Sequence, residues 1–273
     1  TLRVQIGDGK EGMLYAGAIS PDGKILALGG LMKFDGTDGP AIRLVDLASG
    51  KEVGILRGHS NVVNGLAFSP DGNELASASS DNSVRIWNMT HLHEGAEAGG
   101  EMIRLNESVQ LKGHSQKVQA LAYSPDGLQL VSVSYDKTLI LWRRDDTSSA
   151  FANVATMSGH KGEVYTVDFS PDGESIVSGG FDDRLLLWSA RDGSLKKELD
   201  SDMGSDVGTV AFSPDGLHIL ASSESASSAD YSGIYEVSSG KQIARVKNHD
   251  NSVLAGAWHP HWNMVATAGG NRK

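Results

Sequence analysis

The sequence predicts an all-β protein, a β-propeller of four-stranded antiparallel blades. Three observations predict it. The turn tetrapeptide Ser-Pro-Asp-Gly begins at Ser20, Ser69, Ser124, Ser170 and Ser213, with a degenerate copy at His259-Pro260-His261-Trp262. The copies lie 43 to 55 residues apart, the length of a propeller blade and too long for an ankyrin or tetratricopeptide unit. His59, His114 and His160 each have Ser at +18, Asp at +22 and Trp at +28. Between the turns lie short alternating runs suited to strands, with no sustained helical period.

The elements follow in order. Leu2 to Ile6 reads as a strand ahead of the first full unit. The first strands of the six units read LYAGAIS, VVNGLAF, KVQALAY, EVYTVDF, DVGTVAF and SVLAGAW, and Asp168 is the one carboxylate inside them. In the second unit Val63 to Phe68 is the first strand and Leu75 to Ser79 the second. Val84 to Trp87 is the third and Val109 to Leu111 the fourth. Pro70-Asp71-Gly72 and Asp81-Asn82 make the turns. Each Pro sits in a turn, as it must, since it cannot donate to a ladder. The first and fifth units carry insertions, residues 31–40 and 223–230, and residues 90–107 lengthen the second. About six blades are represented. The chain stops in the turn before a third strand of the sixth unit. Residues 1–273 are therefore expected to be one propeller domain incomplete at its C-terminal end. It would be part of a seven-bladed ring or a tandem; closure with six blades, the alternative, would lack only one strand.

Gly58-His59, Phe68-Ser69-Pro70-Asp71-Gly72, Leu75-Ala76-Ser77, Asp81 and Val84-Arg85-Ile86-Trp87 together resemble a WD40 repeat. So do Gly113-His114 through Trp142 and Gly159-His160 through Trp188. The array is similar to regular bacterial-type WD40 arrays of multidomain proteins. The resemblance implies a side-chain hydrogen-bond network inside each blade: His59, Ser77, Asp81 and Trp87; His114, Ser132, Asp136 and Trp142; His160, Ser178, Asp182 and Trp188. The chemistry agrees, because Asp accepts from His, His reaches Ser, and the Ser hydroxyl accepts from indole N–H. The weak units lose it: the His position falls on Lys10 in the first and on Met203 in the fifth, where Tyr235 replaces Trp. In the sixth, His249, Thr267 and Asn271 keep part of it.

The resemblance also implies partner-binding positions at +3 and +5 from the His and just before the turn Asp. These are Val62, Asn64 and Ser80; Lys117, Gln119 and Tyr135; Glu163, Tyr165 and Phe181. Ser252 and Leu254 fill them in the sixth unit, and Met13 and Tyr15 in the first. Tyr135, Tyr165 and Phe181, beside Lys117, Gln119, Glu163 and Asn64, are the expected partner surface, because aromatics among charges are typical of interface hot spots.

Composition narrows the function. There is no Cys, which removes disulfides, zinc thiolates and cysteine nucleophiles and fits a reducing cytoplasm. Net charge is −10 without a basic stripe, which points away from DNA or RNA. No apolar run reaches the roughly 18 residues of a membrane helix. A Ser-His-Asp catalytic reading fails because the set recurs in three units, whereas a nucleophile needs one exposed site with an oxyanion hole. His91 and His93 on a Gly/Ala loop, the acidic run Asp200, Asp202 and Asp206, and the histidines 249, 259 and 261 make no convincing metal set. The expectation is a non-enzymatic, cytoplasmic signalling scaffold without metal or cofactor. It would recruit a protein partner or regulate a fused effector domain of the same polypeptide. The alternative is an enzyme with a metal or acid–base site at the channel mouth.

Overall fold

A computed structural model describes residues 12–32, 40–90, 103–105, 108–144, 150–201, 203–204, 206–223, 231–246, 253–262 and 264–269. Every element described is a β-strand, and the chain divides into two compact units, Thr1–Tyr123 and Ser124–Lys273. Residues 2–6, Lys10, most of the insertions, His91, His93, Asp202, His249, Ser252 and Asn271 lie outside the described residues.

In the first unit, β1 (Gly12–Ile19), β2 (Ile25–Met32), β3 (Ala41–Asp46) and β4 (Glu52–Arg57) form an antiparallel meander. β5 (Val63–Phe68), β6 (Glu74–Ser79) and β7 (Ser83–Asn88) form the next. β8 (Ile103–Leu105) leaves this second sheet and pairs in parallel with β4, Gly54 opposite Ile103. That pairing was not expected of the long connection. It covers the hydrogen-bonding edge of β4, which would otherwise stand open. β9 (Val109–Lys112) then returns as the fourth strand beside β7, and β10 (Val118–Tyr123) ends the unit.

The second unit begins with β11 (Gln129–Ser134), β12 (Thr138–Arg144) and β13 (Phe151–Ser158). β14 (Val164–Phe169), β15 (Ser175–Gly180), β16 (Leu185–Ser189) and β17 (Leu195–Leu199) make one four-stranded antiparallel blade. β18 (Val207–Phe212), β19 (His218–Ser223), β20 (Ser232–Glu236) and β21 (Gln242–Val246) make another. β22 (Val253–Trp258) and β23 (Val265–Gly269) form a hairpin. The architecture is all-β, and its sheets are the blades of a propeller.

The tetrapeptide explains the first hairpin of each unit. In all five copies the Ser hydroxyl donates to the Asp carboxylate two residues on, at 2.5–2.6 Å, and the Gly adopts φ between 71° and 74°. That left-handed conformation is easy for Gly alone. The Ser oxygen also accepts the amide five residues on, at 2.8–2.9 Å, closing the turn on itself. In the sixth copy, His259 Nδ1 accepts the amides of His261 and Trp262 instead.

The second strand of a blade is buried on both faces, as in β11 and β15, where every residue after the first is buried. The outer strands β17 and β21 are mostly exposed. One core cluster of the first unit joins Ile42, Leu44 and Leu56 to Val63, Leu75 and Trp87 from the following blade. The corresponding cluster of the second unit joins Val177, Leu185 and Leu187 to Val207, Val210 and Phe212.

Candidate functional site

The recurrent polar residues meet inside the blades. In β14–β17, Trp188 Nε1–H donates to Ser178 Oγ at 2.8 Å, and Ser178 Oγ lies 2.7 Å from His160 Nε2. His160 Nδ1 lies 2.9 Å from the Asp182 carboxylate. An ionised carboxylate only accepts, so Nδ1 carries the proton, Nε2 accepts from the Ser hydroxyl, and the chain runs Trp to Ser to His to Asp. The β5–β7 blade repeats it: Trp87 to Ser77 at 2.8 Å, Ser77 to His59 at 2.7 Å, His59 to Asp81 at 2.7 Å. In β11–β13, Trp142 donates to Ser132 at 2.9 Å; His114, in the first compact unit, is buried. Burial opposes the charge on Asp81 and Asp182, but the hydrogen bonds they accept, from the imidazole of His59 or His160 and from the amide of Ser60 or Lys161, outweigh it. Asp81 is held far below the usual carboxylate range and Asp182 at about 2. The glycines before His59 and His160 make room for the indole. A Cβ on Gly159 would stand 2.8 Å from Trp188 Cη2 and one on Gly58 3.1 Å from Trp87 Cη2.

The units without a network substitute apolar contact. By strand register, Ala221 stands in the fifth where Ser178 stands in the fourth, and Tyr235 where Trp188 does. The buried Tyr235 hydroxyl reaches Met203 Sδ at 3.2 Å. In the first unit Leu28 and Val45 occupy the Ser and Trp positions and pack together.

The expected surface residues divide between the units. In the second unit the rings of Tyr135 and Tyr165 lie 5.4 Å apart and those of Tyr165 and Phe181 6.4 Å apart, so the three form one continuous cluster. Phe181 is 54% exposed. Glu163 is held beside it, its carbonyl accepting the Phe181 amide at 2.8 Å. Burial, then the neighbouring Tyr135, Asp206 and Glu163, push the Tyr165 phenol above its ordinary range. A feature the sequence did not disclose aims Tyr165. The β14–β15 register slips between Val164 and Thr166, leaving Tyr165 as the extra residue of a β-bulge. A bulge re-aims its side chain out of the strand alternation. The same slip isolates Asn64 and Tyr15 in β5 and β1. In the first unit, Asn64 donates to the Val118 carbonyl at 2.8 Å and to Ser80 at 3.0 Å, so its amide is engaged within the fold. Lys117 and Gln119 are partly buried, and Gln119 Oε1 is enclosed without a hydrogen-bond partner among the described residues.

Asp168, the carboxylate inside β14, accepts the amides of Phe169 at 2.9 Å and of Phe212, on the next blade, at 2.8 Å. Burial raises it to about 6 even though both amides favour the charge. It is thereby committed to joining β14 to β18. Among the described residues no group of three His, Asp or Glu could hold a metal. No helix among them is long and apolar enough to cross a membrane.

The family model "WD domain, G-beta repeat" matches residues 50–88, 106–143 and 151–189, the three units that carry the complete His, Ser, Asp and Trp set. The chain carries three WD40 repeats. It is 34% identical over 116 residues to WD repeat and SOCS box-containing protein 1 of Homo sapiens, covering 42% of this chain and 25% of that protein. It is 36% identical over 138 residues to an uncharacterized WD repeat-containing protein of Synechocystis, 50% of this chain and 33% of the relative. It is 30% identical over 128 residues to the probable cytosolic iron-sulfur protein assembly protein 1 of Candida glabrata, 45% and 36%. The matched stretch spans about a quarter to a third of the length of these relatives. WD40 repeats are in general protein-interaction and scaffolding modules, and the matches indicate no enzymatic family.

Proposed function

We propose that this WD40 chain is a non-enzymatic interaction platform that recruits a protein partner or regulates an effector domain of the same polypeptide. Its partner surface would centre on Tyr135, Tyr165, Phe181 and Glu163; Asn64, Lys117 and Gln119, in the other compact unit, are proposed as partner contacts in their own right. The observation that supports it is the ring cluster of Tyr135, Tyr165 and Phe181, drawn from two successive repeats and ending in an exposed Phe. Outward aromatic surface of this kind costs solubility and is typical of binding surfaces. The residues that recur in all three strong units are, by contrast, consumed inside the blades. We place the chain in the cytoplasm, which its lack of Cys fits.

The test is affinity purification followed by quantitative mass spectrometry, comparing the wild type with a Tyr135→Ala, Tyr165→Ala, Phe181→Ala variant whose circular dichroism and melting are checked first. Loss of a defined set of partners is expected. Retention of every partner by a folded variant would remove this surface from the proposal.

A further inference from the structure

The aromatic cluster is bordered by carboxylates. Glu163 lies beside Phe181 through the amide-to-carbonyl bond just described. Asp183 follows Phe181 by two residues in the same turn, with φ at 61°. Asp206 lies at the start of β18, close enough to act on both Tyr165 and Asp183. Burial, then neighbouring carboxylates, push Asp183 and Asp206 above their ordinary range, Asp182 acting on Asp183, and Asp183 and Glu163 on Asp206. The nearby guanidinium is engaged elsewhere. Arg184 makes a bidentate pair with Glu198, at 2.7 and 2.8 Å, and reaches the Gly159 carbonyl. The ion pairs found among the described residues leave out Glu163, Asp183 and Asp206.

An exposed aromatic ring with carboxylates around it is matched by one kind of group. A ring face carries negative potential, and fixed carboxylates add to it. An acidic segment would be repelled, and a neutral one would leave the carboxylates uncompensated at an interface that removes water. We propose that this surface receives a Lys or Arg side chain from an extended segment of a partner protein, its cationic group seated against Phe181 among Glu163, Asp183 and Asp206. The inference rests on the platform reading and names the partner chemistry of that same surface. The chain's net charge of −10 steers such a segment inward.

The test uses the full chain and a fluorescein-labelled, end-capped peptide, Gly-Ser-Arg-Lys-Ser-Gly. The control is an otherwise identical peptide with citrulline for Arg and acetyl-lysine for Lys. Anisotropy titrations are run at low and high salt with the wild type, Phe181→Ala and the pair Asp183→Asn, Asp206→Asn. The cationic peptide should bind the wild type at least about tenfold tighter than the neutral one and weaken with salt. Each variant should lose about fivefold or more while melting as the wild type does. Equal binding of the two peptides, or an unchanged affinity in the Asp183→Asn, Asp206→Asn variant, overturns the inference. Should the triple aromatic variant still lose its partners while that neutralised pair keeps them, the cationic occupant falls and the platform stands. Retention of every partner by both, with no peptide bound, removes both.

Discussion

Ser178→Ala is the sharpest perturbation of this molecule. Ser178 Oγ is the hinge of the network, accepting from the Trp188 indole and facing His160 Nε2 at 2.7 Å. All three residues are buried, so water cannot replace the hydroxyl. The substitution leaves two buried polar atoms unpaired, at about 1–3 kcal/mol each. The imidazole cannot rescue itself by changing tautomer, because Nδ1–H is committed to Asp182. A total near 3 kcal/mol corresponds to a melting point lower by about 6–12 °C for a domain of this size. Thermal and urea unfolding, with the urea m-value checked for constancy, measure it. A loss below about 1 kcal/mol would refute the view that the network holds the blade. The fifth unit supplies the counter-experiment, since Met203, Ala221 and Tyr235 replace His, Ser and Trp together. Copying that set as His160→Met, Ser178→Ala, Trp188→Tyr should cost well short of the summed single losses, because removing all partners leaves no orphan.

Gly159→Ala drives a Cβ into the Trp188 ring at 2.8 Å and should cost about 1–3 kcal/mol by urea unfolding, whereas Gly17→Ala, with ordinary contacts at 3.8 Å, should cost little. Lys137 sits at φ 71°, so Lys137→Gly should leave the melting point unchanged or raise stability by up to about 1 kcal/mol. Asp168 is raised to about 6, so its contribution to stability improves as pH falls from 7 through 6 toward 4; Asp168→Asn should flatten that part of the stability–pH curve. Asp182 is depressed to about 2, so its contribution is intact above pH 4 and lost between about pH 4 and 2, and Asp182→Asn should remove that acid-side fall.

Much of this fold was legible because each device is local or spaced by a fixed strand length. Ser-Pro-Asp-Gly specifies its turn from four residues, and its five copies behave alike. The offsets 18, 22 and 28 are legible for the same reason, since two tight hairpins fix the distance from His to Trp. What stayed hidden depends on pairing that no single segment encodes. Nothing in Ile103-Arg104-Leu105 says that it will lie parallel to β4. The bulge at Tyr165 exists only relative to Gly179 and Gly180 on β15. Asn64 is the same kind of residue position as Tyr165, yet its short amide finds the Val118 carbonyl while the phenol reaches outward to two rings. Repeat spacing names the position; the side chain decides whether it faces inward or out.

The turn Phe181-Asp182-Asp183 joins these two levels. Its middle residue is the buried end of the Trp188–Ser178–His160 chain, and its flanking residues belong to the proposed surface. The Asp182 carboxylate also accepts the Lys161 amide at 2.6 Å, and the Glu163 carbonyl accepts the Phe181 amide, so the loop before β14 and the turn after β15 are tied at two points. Gly162 lies against that turn so closely that a Cβ there would stand 3.0 Å from the Asp182 nitrogen. The exposed ring is thus mounted on a frame whose rigidity comes from inside the blade. A preorganised anchor loses little freedom when a partner seats on it. Ser178→Ala should therefore weaken binding at Phe181 through looser positioning of the turn, without touching the surface. Restoring the ring's contacts alone would not recover it.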